Sequence, residues 1–152
     1  MNLQADLREL VGSFLSRGVE FVVVGGHAVA FHGYPRLTED VDLLVRPTLA
    51  NGQRIVDALQ DFGFGSLGLT PDAFTVPERV IQLGRAPNRA DLLTGLFGVS
   101  FEEVWSGRVQ ADLDGLKVPV IGRAELVRNK RATARAQDLA DVEHLERGAG
   151  PA

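Results

Sequence analysis

The run Val19-Glu20-Phe21-Val22-Val23-Val24 carries β-branched and aromatic side chains with a single charge, and it closes on Gly25-Gly26. Such a run suits a central strand, which the paired glycines end before the short helical stretch Ala28 to Phe31. A buried strand needs cover on its faces, and the covering helices are legible nearby. Leu3, Leu7, Leu10, Val11, Phe14 and Leu15 recur at helical spacing before Gly18, as do Leu49, Ile55, Val56, Leu59 and Phe62 before Gly63. Between them, Asp40-Val41-Asp42-Leu43-Leu44-Val45 reads as a second strand stopped by Pro47.

Downstream, Thr70-Pro71-Asp72 reads as a turn, and Val80 to Leu83 and Ala90 to Leu93 as a hairpin or adjacent strand pair. Ser100-Phe101-Glu102-Glu103 has the form of a capping box opening a helix with Val104 and Trp105, and Asp114-Gly115 turns into a strand Leu116 to Ile121. Helical material runs from about Ala124 to Leu145. The expected fold is α/β: a mixed twisted sheet of four to five strands flanked by helices, with the site at the sheet edge where the glycine turn meets the Asp40 strand. The 152 residues suit one domain over 1–147, with 148–152 as a frayed tail.

Composition narrows the chemistry. Sixteen Lys and Arg against twenty Asp and Glu give a formal charge of -4, which excludes the global basic field of a protein that coats nucleic acid. The chain has no cysteine, so any metal must be held by oxygen or imidazole. Apolar stretches fall short of a membrane span and the N-terminus does not read as a signal peptide, so no membrane partner and a cytoplasmic location are expected.

The chemistry concentrates where thirteen residues separate Gly26 from Asp40. A strand that ends in two glycines and enters a helix lets backbone N–H groups approach a phosphate, although an ordinary tight turn needs the same residues. Asp40 and Asp42, two apart on a strand, project from the same face beside that turn. Like charges held so close repel, and a divalent cation between them relieves the repulsion; hard oxygen donors suit Mg²⁺ or Mn²⁺ bridging to phosphates. The alternative is an exposed edge strand with an acidic face, against which stands the apolar run Val41, Leu43, Leu44, Val45. Asp91, isolated in the apolar segment Ala90 to Leu93, is a candidate third carboxylate. Three converging carboxylates suit two-metal phosphoryl transfer.

The stretch Val22 to Val45, with Gly25-Gly26, Gly33, Arg36, Thr38 and Asp40-Val41-Asp42 in order, resembles the signature of the DNA polymerase β-like nucleotidyltransferase superfamily. It is similar in particular to small bacterial nucleotidyltransferases that include the AbiEii-type toxins. Val118-Pro119-Val120-Ile121, Glu125-Leu126, Lys130, Arg135, Asp138-Leu139 and Asp141 resemble the closing strand and helix of those proteins. The resemblance implies that Gly25 and Gly26 contact a triphosphate, that Asp40 and Asp42 bind metal, and that Asp91 is the third acid. Arg36 and Thr38 are candidate triphosphate contacts or turn and strand-entry residues. Lys130 is a candidate phosphate contact, or else part of a solvated helix face. The implied activity is Mg²⁺-dependent transfer of a nucleoside monophosphate from an NTP to a hydroxyl acceptor. RNA or protein is the favoured acceptor, a toxin–antitoxin setting with an antitoxin or homodimer partner is one implied context, and a small molecule is the alternative acceptor. The reading from another class is a catalytically inactive nucleotide-binding or interaction module.

Arg123, Arg128, Lys130, Arg131 and Arg135 form a basic concentration with one acid, Glu125. It suits triphosphate binding, RNA guidance or a plain polar surface alike. Asp138 lies three residues after Arg135 and is expected to pair with it. His27 and His32 read as packing and capping residues and Trp105 as a core anchor.

Overall fold

A computed structural model of the chain describes residues 5–35, 38, 40–61, 68–85 and 88–147, with 85 and 88 described by backbone alone. Its elements in chain order are α1 (Ala5–Ser16), β1 (Phe21–Val24), α2 (Gly25–Phe31), β2 (Val41–Val45), α3 (Leu49–Asp61), a 3₁₀ turn (Pro71–Phe74), β3 (Val80–Arg85), β4 (Asn88–Leu93), α4 (Phe101–Gly107), β5 (Val109–Leu113), β6 (Leu116–Val120), α5 (Arg123–Thr133) and α6 (Ala136–Arg147). The expected α/β class holds. Arg36, the expected helix end at Phe62-Gly63 and the 148–152 tail lie outside the described residues.

The sheet has six strands in the order β3-β4-β2-β1-β6-β5, one more than the upper sequence expectation. The missed strand is β5. Only Ala111 and Leu113 of its five residues are buried, so this edge strand lacks the apolar density that marks β1 and β2. Pairing is mixed: β1 with β2, β3 with β4 and β5 with β6 are antiparallel, whereas β2 with β4 and β1 with β6 are parallel. Because β1 and β2 occupy the middle of the sheet, the Asp42 strand is central. The site expected at the sheet edge instead lies at the strand ends in the sheet's middle.

All four side chains of β1 are buried, together with Val41, Leu43, Leu44 and Val45 of β2. Phe14 of α1 meets Phe21 edge to face at 5.9 Å, which seats α1 on the sheet. Ser100 and Glu103 form the expected reciprocal capping box at the start of α4. The C-terminal helical stretch is two helices, broken where Ala134 takes φ 52°. Among the described residues, no helix is long and apolar enough to cross a membrane.

Candidate active site

Register places the acids. Asp42 of β2 lies opposite Val24, the last residue of β1, on one side, and opposite Asp91 of β4 on the other. Residues opposed across neighbouring strands share a face of the sheet, so the two carboxylates project together. The chain leaves β1 through Gly25, whose φ of +69° belongs to the left-handed region. A Cβ there would overlap the Asp42 carboxylate, reaching within 3.0 Å of its Cγ. Glycine is thus required twice, for the turn and for the open approach to Asp42. Gly25→Ala is expected to destabilise the protein by more than the ~1–2 kcal/mol of left-handed backbone strain, because the Asp42 side chain must also move. Urea unfolding of the variant checks this, and a smaller loss would show that the overlap relaxes freely.

Thr38 closes the turn ahead of β2, its Oγ1 donating to the Asp40 carbonyl oxygen at 3.2 Å. It packs under the second glycine: a Cβ on Gly26 would lie 3.1 Å from Thr38 Oγ1. Asp40 precedes β2, and Arg89 Nη1 lies 3.7 Å from its Oδ2.

Arg89 was not singled out from the sequence, although it stands two residues before Asp91 on one strand and therefore on the same face. Its Nε and Nη2 donate to Asp91 Oδ1 and Oδ2 at 3.1 and 2.8 Å, a bidentate clamp. Burial pushes the Asp42 carboxyl up from 3.8 to about 6, with the charges of Asp91 and Asp40 adding to the shift and Arg89 opposing it. Arg89→Gln is accordingly expected to move the Asp42 titration still higher in metal-free protein. Carboxyl-carbon NMR titration reads this, and an unmoved or lowered midpoint would remove Arg89 from the Asp42 environment.

Asp40, Asp42 and Asp91 are thus brought to one neighbourhood around Arg89. Among the described residues, no three His, Asp or Glu side chains are preassembled to hold a metal ion. The guanidinium between Asp91 and Asp40 supplies part of the positive charge that a cation would bring. The donor chemistry nevertheless fits a hard divalent ion: Asp42 is a half-buried carboxylate beside like charges, and Gly25 sets no side chain against its oxygen.

A cavity of about 340 Å³ opens beside these groups, lined by Gly25, Asp42, Glu78, Phe97, Lys130 and Arg135 among others. Glu78 and Phe97 sit in connecting segments without a spacing signal, which is why sequence periodicity did not find them. Lys130 reaches this wall from α5, but its ammonium lies 2.9 Å from Asp141 and 3.4 Å from Asp138 of α6. Arg135 pairs with Asp138 at 2.7 Å as expected and, with Thr133, holds that carboxylate well below its ordinary range despite burial.

The other cations of the basic stretch are also engaged. Arg128 pairs with Glu103 at 2.9 Å, Arg131 pairs with Glu146, and Arg123 donates to the His32 carbonyl oxygen at 3.4 Å. His32 Nε2 donates to the Ile121 carbonyl oxygen at 2.7 Å. His27 is buried, its Nε2 without a hydrogen-bond partner, and burial lowers its pKa. Trp105 is half-buried, stacked with Phe101 at 5.7 Å and covered by the Arg108 guanidinium 3.8 Å from its ring centre. It borders a wider cleft of about 610 Å³ together with Phe21, Arg108 and Lys117, and no carboxylate is among the described residues lining that cleft.

The fold matches solved nucleotidyltransferase structures across nearly its whole length. A lincomycin-bound lincosamide antibiotic adenylyltransferase, LnuA, matches with a TM-score of 0.56 at 15% identity, over 96% of this chain and 98% of its own. The antibiotic-resistance factor ANT(2'')-Ia matches with a TM-score of 0.62 at 11% identity, over 95% of this chain and 83% of its own. An antigenic nucleotidyltransferase-like protein from Paracoccidioides brasiliensis matches at 0.53 and 17% identity, over 99% of this chain and 80% of its own. At these identities the likeness is one of fold. No protein-family model matches the chain, and no curated protein matches its sequence.

Proposed function

We propose that the protein is a metal-dependent nucleotidyltransferase that moves a nucleoside monophosphate from an NTP to a hydroxyl acceptor. The observation that carries this reading is the parallel register of Asp42 with Asp91 beside the uncovered Gly25 turn. Asp40 and Asp42 would hold Mg²⁺ or Mn²⁺, with Asp91 as the third acid. The bound ion supplies Lewis-acid stabilisation of charge on the reacting and leaving phosphates. Gly25 and Gly26 let the chain approach the triphosphate without a side chain in the way, and Thr38 fixes the turn that presents Asp40. Asp91 accepts the proton of the acceptor hydroxyl, whose oxygen bonds to the α-phosphorus as the α–β phosphoanhydride breaks and pyrophosphate leaves.

For the acceptor, the engaged cations between Arg123 and Arg135 weigh against a nucleic-acid track, because each of the five basic residues already has an acceptor within the protein. A compact hydroxyl compound therefore gains on RNA or protein, in keeping with the antibiotic-directed functions named for two of the matched structures. The toxin-type reading rests on the resemblance of Val22 to Val45 and of Val118 to Asp141. Incubation with α-labelled NTP and Mg²⁺ against separate sets of hydroxylated antibiotics, RNA and protein tests both levels. Label on one acceptor class with pyrophosphate release is expected. Absence of any metal-dependent NTP binding would overturn the nucleotidyltransferase reading in favour of an interaction module.

A further inference from the structure

Besides Gly25 and Asp42, the 340 Å³ cavity is lined by a residue whose exposure neither the fold nor the carboxylates require. In the connection after β4, Phe97 is 59% exposed. Leaving a large aromatic ring largely in water forgoes free energy that burial would return. The segment is nevertheless tightly held in that position. Leu96 bridges to Val99, and Asn129 Nδ2 donates to the Phe97 carbonyl oxygen at 2.9 Å. Gly98 approaches α5 so closely that a Cβ on it would lie 2.7 Å from Ala132 Cβ and 2.9 Å from the Arg128 carbonyl oxygen. Phe97 also borders a shallower recess of about 460 Å³ with Ala132, Thr133 and Arg135, so the ring stands between two spaces.

We propose that Phe97 is the platform against which the base of the nucleotide stacks. This rests on the nucleotidyltransferase reading of the same site. A nucleotide has a polyanionic end and a flat, weakly polar end, and the cavity offers a partner to each: Gly25 and the metal-fitting Asp42 for the phosphates, and Phe97, which also lines a recess that neither of them lines, for the base. A volume of about 340 Å³ falls in the range of small-ligand sites. Every base has a π face, so a stacking platform fixes the base without selecting its identity, and the four NTPs are expected to bind with similar affinity on this account.

Calorimetric titration of wild type, Phe97→Ala and Phe97→Trp with Mg²⁺–ATP and, separately, with Mg²⁺–tripolyphosphate tests the platform. The alanine variant is expected to bind ATP about 5- to 100-fold more weakly, as loss of one base–aromatic stack implies. Tripolyphosphate affinity should hold within about twofold, because it lacks a base to stack, and tryptophan should restore ATP affinity. Because the ring is exposed, the folded state is expected to survive, which a matched urea midpoint checks. Unchanged ATP affinity in Phe97→Ala, or equal loss for both ligands, would overturn the platform alone. A wild-type protein that binds neither ligand would overturn the nucleotidyltransferase reading with it.

Discussion

Lys130→Met is expected to lower the unfolding free energy by about 3–5 kcal/mol, the usual consequence of removing one partner from a buried ion-pair cluster. Lys130 is 9% exposed, and its ammonium faces Asp141 at 2.9 Å and Asp138 at 3.4 Å, residues that are 2% and 1% exposed. Asp138 keeps Arg135 and the Thr133 hydroxyl in the variant, but Asp141 loses the ammonium beside it. The substitution keeps an unbranched apolar stem, so the measured loss is chiefly electrostatic rather than a cavity. A double variant, Lys130→Met with Asp141→Asn, should regain part of the loss, because it also removes the carboxylate charge that faced the ammonium. Urea unfolding of the three proteins reads the pattern. A single-variant loss below about 1 kcal/mol would place Lys130 with ordinary surface pairs.

NTP titration of the same variant separates two roles for this residue. The cluster ties α6 to α5 across the break at Ala134, and α5 forms part of the wall facing Asp42. An ammonium between two carboxylates meets a phosphate only in competition with them. If Lys130 serves the wall alone, folded Lys130→Met at low temperature retains NTP affinity; a tenfold or greater loss would restore the phosphate contact implied by the family resemblance.

Much of the candidate site was legible because a strand repeats every two residues. That rule put Asp40 and Asp42 on one face, and the isolated charge in an apolar segment singled out Asp91. Sequence could not choose the neighbour of β2, and the parallel register that sets Asp42 beside Asp91 comes from a connection of more than forty residues between the two strands. Arg89 was within reach of the same periodicity but looked like a flanking charge until the acid it clamps was placed. The Lys130–Asp141 pair depends on α5 and α6 folding back on one another. That fold-back occurs at Ala134, a non-glycine residue at positive φ that carries no helix-stop signal. Phe97 had none either: its exposure follows from contacts made by Asn129 and Gly98 with distant chain, not from any pattern around it.

Asp42→Asn is expected to stabilise the metal-free protein at neutral pH while lowering transfer activity on the order of a thousandfold, the loss of several kcal/mol of metal-derived charge stabilisation. The two effects share a cause. A carboxyl raised from 3.8 to about 6 in the folded state holds its proton where the unfolded chain has released it. Stability is therefore full below the unfolded value and declines as pH rises through about 6, by about 3 kcal/mol in all. Asparagine has no proton to lose, so the variant should lack this decline, and the difference between the two proteins should grow in its favour as pH rises towards 7. Adding Mg²⁺ or Mn²⁺ at pH 7 should raise wild-type stability by linkage and leave Asp42→Asn almost unmoved, and a chelator should reverse the gain. Denaturant unfolding between pH 4 and pH 8, as an experimental range bracketing the shifted value, with and without metal, reads all of this. A difference between wild type and Asp42→Asn that does not change across that interval would mean that Asp42 is already neutralised by other groups, removing the electrostatic reason to place a cation there. A fall that metal fails to reverse would leave a strained carboxylate without its expected ligand, and would favour an interaction module that keeps the fold of a nucleotidyltransferase without its chemistry.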